Sequence, residues 1–329
     1  MAASLYNNSL SVSAIIAVYN PDLFYFKQAV ASVLSQIFPV QELVLVNDGG
    51  SETFRSILPD DERIRVFSKQ NEGVAAARNF ALEQCRGEYI ALLDQDDYWY
   101  PDKLCEQMAM IPVPGEPCMV TSPVDIVVAN GSVQNKISRR KSDEYRWKTS
   151  QENVLLSLFE GNFIYSSTPL IHRAVFEKAG GFDPWTQPHD EWDLYLRIVL
   201  AGFSLYCYRE KPLSVWRSHD ANESNKLNVM MCSKCRVEKK LLKTVADDVI
   251  RRILATNLLI DLLERVNLLY KQREYRRFRA LVIIHLFRLL RHKYNFRGVG
   301  IELHRAYSDR VRKIALKSAR RYVVSYFML

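Results

Sequence analysis

Cysteine is scarce: six residues in 329, at positions 85, 105, 118, 207, 232 and 235, with no framework spacing. So few thiols in so long a chain exclude a disulfide-stapled scaffold and favour the reduced state. Cys232 and Cys235 form a C-x-x-C pair, half of a zinc site, but no second C-x-x-C or C-x-x-H follows it. The plainer reading is two thiols on a helix. Long apolar runs are also missing. None reaches the ~18 uninterrupted residues that suggest a bilayer-spanning helix, and the best stretch, "ALVIIHLFRLL", is short and carries His285 and Arg288. The opening "MAASLYNNSLS" has neither a basic start nor an apolar stretch, so no secretory leader is expected.

What is present is an ordinary globular composition, 48% hydrophobic and 25% charged, with 17 Tyr and 15 Phe. A chain of this length buries a large core and divides into one big domain plus an appendage. Charge shows where. Residues 225–329 hold 25 basic and 8 acidic side chains, a net of +17, whereas residues 1–224 carry a net of −9. An acidic front (1–224) and a basic back (225–329) are expected to be separate bodies.

Along the front, short β-branched runs alternate with helical periodicity. "VSAIIAVYN" reads as a buried strand, followed by a helix "LFYFKQAVASVLSQ" that Asp22 is placed to cap. "ELVLVNDGGS" is a second strand, then come a short helix near 52–57, a strand "IRVFS", a helix "AAARNFALEQC" and a strand "EYIALLD". This alternation predicts βαβ units and a mostly parallel twisted sheet flanked by helices, with ligands at the strands' carboxyl ends. The middle is harder to read. "MVTSPVDIVVANGSV" suggests strand pieces with a turn at Asn130-Gly131, "SRRKSDEYRWKTS" a charged surface segment, "NVLLSLFEGNFI" a helix and loop, and "STPLIHRAVFEKAGGF" a strand, a helix and a Gly-Gly stop.

Carboxylates crowd the predicted ligand edge. Asp48 ends the second strand, and Asp94, Asp96 and Asp97 follow the fourth. Capping a turn needs one carboxylate. A group of three is better explained by a divalent cation, Mn²⁺ or Mg²⁺, that offsets their repulsion and in turn holds phosphates. A second acidic group, Asp190, Glu191 and Asp193 after His189, opens the helix "DEWDLYLRIVL". Acids there are favoured by the helix dipole by about 0.3–1 kcal/mol each, which suffices for Asp193. For Asp190 and Glu191, beside Trp192, partial desolvation would also make a usable base, and both readings stay open.

Taken in order, "VSAIIAVYN", "LVNDGGS", "NEGVAAARN", "YIALLDQDDYWYPDKL", "AGGFDP", "DEWDLYLRI" and "VWRSHDANES" resemble the motifs of inverting family 2 glycosyltransferases with a GT-A (nucleotide-diphospho-sugar transferase) fold, such as those of bacterial polysaccharide assembly. The resemblance covers about residues 11–225; beyond it, residues 225–329 read from their own apolar spacing as an all-α basic region. It implies that Ala17, Val18, Tyr19 and Asn20 line the nucleotide base and that Asp48 accepts a hydrogen bond from it. Gly73 would let backbone pass close to the nucleotide, and Arg78 would face the base or diphosphate. Asp94-Gln95-Asp96 is the DxD motif, Asp94 toward ribose and metal, Asp96 as the firm ligand, with His219 reaching the metal or diphosphate. Asp97, Trp99 and Pro101 are structural on this reading. Glu191 falls at the family's catalytic base. The chain departs from the usual pattern at Ala17 (commonly Pro), Asn47 (commonly Asp) and the order Asp190-Glu191 (commonly Glu-Asp), so the choice of Glu191 over Asp190 rests on register.

The implied function is metal-dependent inverting transfer of a hexose from a nucleotide-diphosphate donor, a UDP-sugar first, to a saccharide acceptor that is lipid-linked in some families of this kind. Alternatives are transfer to a polyprenyl phosphate, where no base is needed, and an inactive GT-A binding or scaffold protein. A sugar nucleotidyltransferase is disfavoured because the Gly-rich, lysine-bearing loop after the first strand is missing. The basic back reads either as a helical cap with a solvated face or as an amphipathic surface for anionic lipid. The second reading places the protein in the cytoplasm, peripheral at the inner face of the cell membrane. No nucleic-acid motif is present and none is expected to bind.

Overall fold

A computed structural model describes residues 10–128, 133–134, 151–220 and 222–246, with positions 248, 250, 251, 253–255, 257, 258, 261, 262 and 265 beyond them. The Asn130-Gly131 turn, the charged segment 138–150 and the basic stretches after 265 lie outside the described residues. The chain forms two compact units, Met1–Asn222 and Glu223–Leu329.

The first unit begins with β1 (Val12–Val18), α1 (Leu23–Leu34), β2 (Glu42–Asp48), β3 (Ile64–Lys69), α2 (Val74–Gln84) and β4 (Tyr89–Leu92). β1, β2 and β4 are buried almost throughout, which is why their sequences read as unbroken apolar runs. Asp22 caps α1, its carboxylate accepting from Phe24 N at 2.9 Å and Tyr25 N at 3.2 Å, as expected. The short helix over Glu52–Ile57 is of the 3₁₀ kind. After β5 (Tyr98–Trp99) and α3 (Lys103–Ala109) come β6 (Cys118–Thr121), β7 (Val124–Val128), β8 (Val133–Gln134), α4 (Gln151–Glu160), β9 (Leu170–His172), α5 (Arg173–Ala179), α6 (Asp190–Leu200), β10 (Ser204–Cys207) and β11 (Ser214–Ser218).

Seven strands make the main sheet in the order β10-β6-β9-β4-β1-β2-β3. It is parallel except at β9, which runs antiparallel between β6 and β4. This is the mostly parallel, helix-flanked sheet expected from the alternation. A second sheet, β5-β11-β7-β8, is separate from it, and its antiparallel β7-β8 pair flanks the expected Asn130-Gly131 turn. Two of its strands, β5 and β8, have only two residues each, so their pairing, not their periodicity, defines them. The main core joins β1, α1, β2, β4 and α3 through Ile16, Phe26, Val30, Leu45, Tyr89 and Leu104. Trp192 of α6 is buried and donates to the Leu158 carbonyl of α4 at 2.8 Å.

In the second unit α7 (Leu227–Thr244) carries both cysteines of the C-x-x-C pair. Cys235 packs with Leu242, Leu258 and Leu262, and all six cysteines of the chain are unpaired thiols. Among the described residues no helix is long and apolar enough to cross a membrane.

Candidate active site at the carboxyl edge of the sheet

β1, β2 and β4 end on the same edge, and their parallel register sets Tyr19, Asp48 and Asp94 there. The chain leaves β1 through Asn20, at φ +43°, whose amide oxygen accepts from Ser51 N at 2.9 Å. Tyr19 is half exposed, and its backbone is tied to Gln95 by paired bonds of 2.9 and 3.2 Å. Ala17 is half-buried. Val18 sits fully inside the core, so only its backbone can contribute to a nucleotide site.

Asp48 is buried and works as an anchor. It accepts from Glu72 N at 3.1 Å, from Gly73 N at 2.8 Å and from Lys69 Nζ at 3.1 Å. Gly73 then opens α2 at φ +93°, where a Cβ would meet the Gln187 amide at 2.8 Å. A side chain there would displace the end of Gln187, and the dihedral itself suits glycine. Gln187 in turn caps α2, its amide oxygen accepting from Val74 N at 3.1 Å and Ala75 N at 2.7 Å.

Arg78 gathers the acids of the site. Its side chain is 5% exposed and lies among three carboxylates. The guanidinium reaches Asp94 at 2.7 Å, Glu191 at 2.5 Å and Asp190 at 3.4 Å, with the Phe182 ring 5.4 Å away. Burial works against the Arg78 charge, but Glu191, Asp94 and Asp190 outweigh it and hold the arginine protonated. The converse pull on the acids is weaker than burial. Desolvation raises Asp190 despite Arg78, and it pushes Glu191 up to about 8. Of the two, Glu191 is the more open, at 16% against 2% for Asp190.

The DxD turn is held by a polar net. Ser166 donates to Asp94, while the Ser167 hydroxyl accepts from Asp94 N at 3.1 Å and donates to Asp97 at 2.5 Å. Asp97 is buried and also accepts from Arg217 N at 2.9 Å, the structural use expected of it. The Arg217 side chain lies between the Tyr25 and Tyr98 rings, at 4.5 and 4.8 Å, and donates to the Asp96 carbonyl and to Gln28. Two residues on, His219 Nε2 meets Asp96 Oδ2 at 2.7 Å. Burial and the neighbouring Asp94 charge raise Asp96, with His219 opposing. Asp193, by contrast, is fully buried and bound to Arg197 at 2.8 Å, so it belongs to the helix and not to the site.

Among the described residues no three His, Cys, Asp or Glu side chains converge to hold a metal. Asp94 shows why, being turned to Arg78 and Ser166. Asp96 and His219 remain as a pair of oxygen and nitrogen donors, each about one-third or less exposed. In this arrangement the two are bonded to each other.

Comparison with known proteins bears on the family and the fold. Residues 13–180 match the family model described as Glycosyl transferase family 2. An uncharacterised glycosyltransferase of Rickettsia typhi is 30% identical over 224 residues, 65% of this chain and 66% of that protein. TuaG of Bacillus subtilis, named for teichuronic acid biosynthesis, is 43% identical over 102 residues, 30% of this chain and 40% of TuaG. The chain thus matches part of the length of each relative. The crystal structure of S. aureus TarS 1–349 with UDP-GlcNAc superposes with a TM-score of 0.57 at 16% identity, covering 78% of this chain and 81% of that one. The shared fold is the GT-A arrangement expected from the motif order.

Proposed function

The chain belongs to glycosyl transferase family 2, and from that premise we propose that it moves a sugar from a nucleoside-diphosphate donor, a UDP-sugar first, to a saccharide acceptor during surface-polysaccharide assembly. The observation that carries the reading is the Arg78 cluster. One buried guanidinium joins Asp94, at the end of β4, to Glu191, at the start of α6, so donor-side acid and acceptor-side base share a partner. The name of TuaG and the UDP-GlcNAc bound to TarS support the classes of product and donor.

The chemistry is a single in-line displacement with inversion. Glu191 accepts the proton of the acceptor hydroxyl, whose oxygen forms the new bond to the anomeric carbon as the bond to the diphosphate oxygen breaks. The nucleoside diphosphate leaves with the electron pair. Glu191 is preferred to Asp190 because it is the more open of the two and has the longer side chain. Asp96 and His219 would hold a divalent cation, which supplies neutralisation of charge on the departing diphosphate. Asp48, Gly73, Gln95 and the Tyr19–Asn20 backbone frame the nucleotide, and Arg78 keeps the crowded acids ionisable. A lipid-linked acceptor and contact of the basic C-terminal region with anionic lipid belong to the same proposal.

The test is a panel of nucleotide sugars assayed for diphosphate release, with and without a chelator. Release from one class of donor that stops on chelation and returns with Mn²⁺ or Mg²⁺ is the expected result. Binding of UDP without release from any donor would instead indicate the inactive GT-A alternative.

A further inference from the structure

Three of the five tryptophans show what the fold does with an indole. Trp99 and Trp192 are 2% and 1% exposed, whereas Trp185 is 53% exposed. Trp185 is not on a loose loop. It sits in a 3₁₀ turn, Pro184–Thr186, that is pinned at every residue. Asp183 Oδ1 accepts from Trp185 N at 3.0 Å, and the Asp183 carbonyl accepts from Thr186 N at 3.0 Å and from the Thr186 hydroxyl at 2.8 Å. Thr186 is fully buried, and its carbonyl accepts from His189 N at 2.9 Å, one residue before α6 begins.

The turn also has a fixed address. Gln187, two residues after Trp185, caps α2 and abuts Gly73, which Asp48 holds. On the other side the chain enters α6 and reaches Glu191. The turn therefore joins a residue that abuts Gly73 to the helix that carries the proposed base, on whose side the acceptor enters an in-line displacement.

We propose that Trp185 is a stacking platform for a sugar ring of the acceptor. An apolar C–H face of a pyranose rests on an indole, and the ring's hydroxyls then point outward to polar neighbours. Along the chain Asp183, Gln187 and His189 flank the indole, with Asp183 holding the turn and Gln187 capping α2. A platform already fixed by its own turn loses little freedom when the saccharide arrives, so its contact energy goes into binding. The inference rests on the glycosyltransferase reading and names where its acceptor binds.

The experiment compares Trp185→Ala, Trp185→Phe and wild type in donor consumption, using short unbranched oligosaccharides of glucose, galactose and N-acetylglucosamine as acceptor probes. UDP affinity by calorimetry serves as the folding control. Trp185→Ala is expected to raise the saccharide KM about tenfold, and Trp185→Phe to recover most of that loss, as an aromatic contact worth about 1.4 kcal/mol would. UDP affinity stays within about twofold in both variants. A saccharide KM in Trp185→Ala equal to wild type, or no response of wild-type donor consumption to any of these oligosaccharides, overturns the platform while leaving the glycosyltransferase reading intact. A wild-type protein that consumes no nucleotide sugar overturns both.

Discussion

Glu191 is subject to two opposed influences at the scale of a single side chain. Arg78 at 2.5 Å favours its ionised form, and burial favours the neutral one. Burial prevails, and the group titrates at about 8, with Asp190, Asp94 and Tyr195 the other ionisable neighbours of the Arg78 cluster. A base acts only when deprotonated, so donor turnover should rise with pH through about 8 and level off above it. Glu191→Gln should remove about a hundred- to ten-thousandfold of the rate, the usual worth of a positioned base, and abolish that rise, with UDP affinity near normal. A pH–rate profile of wild type and variant decides it: an unchanged rate in the variant would falsify the base assignment. The acids themselves were legible in the sequence, because carboxylates at strand ends and in a helix's first turn are chemically conspicuous. Arg78 was visible as a residue but not as a clamp, since nothing local says that α2 will deliver it beneath Asp94 and α6. Ser166, Ser167 and Gln187 left no signal at all. Their work is done by contacts spanning 70 residues or more for the serines, and a serine or glutamine in a loop is unremarkable by itself.

At the scale of elements, α6 is the beam that carries the base, and Asp193 fixes its pitch. The Asp193 carboxylate is fully buried and takes Arg197 Nε and Nη2 at 2.8 Å. Arg197 also donates to the Gly181 carbonyl at 2.7 Å and to that of Ala179, tying the end of α5 to α6. Removing one partner of such a pair strands a charge in a desolvated place. Asp193→Ala should therefore cost about 3 kcal/mol of stability, read as a lower urea midpoint, and lower turnover more than UDP affinity. A variant as stable as wild type would mean that the helix holds without this pair. The helix start was readable from its acids, and Asp193 as a helix residue, not a base, followed from the dipole alone. β1 to β4 were equally readable from their apolar runs. β5 was not, because two residues have no periodicity and Tyr98–Trp99 becomes a strand only by pairing with Ser214–Val215, more than a hundred residues later. Two of the second sheet's three pairings, β11 with β5 and with β7, are of this long-range kind, whereas β7 and β8 pair as a local hairpin.

Across the whole molecule the dominant inequality is electrostatic. A net of −9 over residues 1–224 and +17 over residues 225–329 cannot be inferred from the overall +8. An acidic catalytic unit is repelled by an anionic bilayer, so any attraction must come from the basic region, at about 1 kcal/mol for each Lys or Arg that reaches the surface. A few such contacts suffice for peripheral binding, and all of them weaken as salt shortens the screening length from ~30 Å at 0.01 M to ~8 Å at 0.15 M. The intact protein should therefore sediment with phosphatidylglycerol vesicles at low salt, stay free of phosphatidylcholine vesicles, and leave the former as salt rises toward ~0.5 M. Binding that survives high salt would point to apolar insertion, for which no described helix has the length and hydropathy of a membrane span. Absence of binding at low salt would assign the charge to a solvated face, and the acceptor would then have to reach the enzyme without help from the membrane surface.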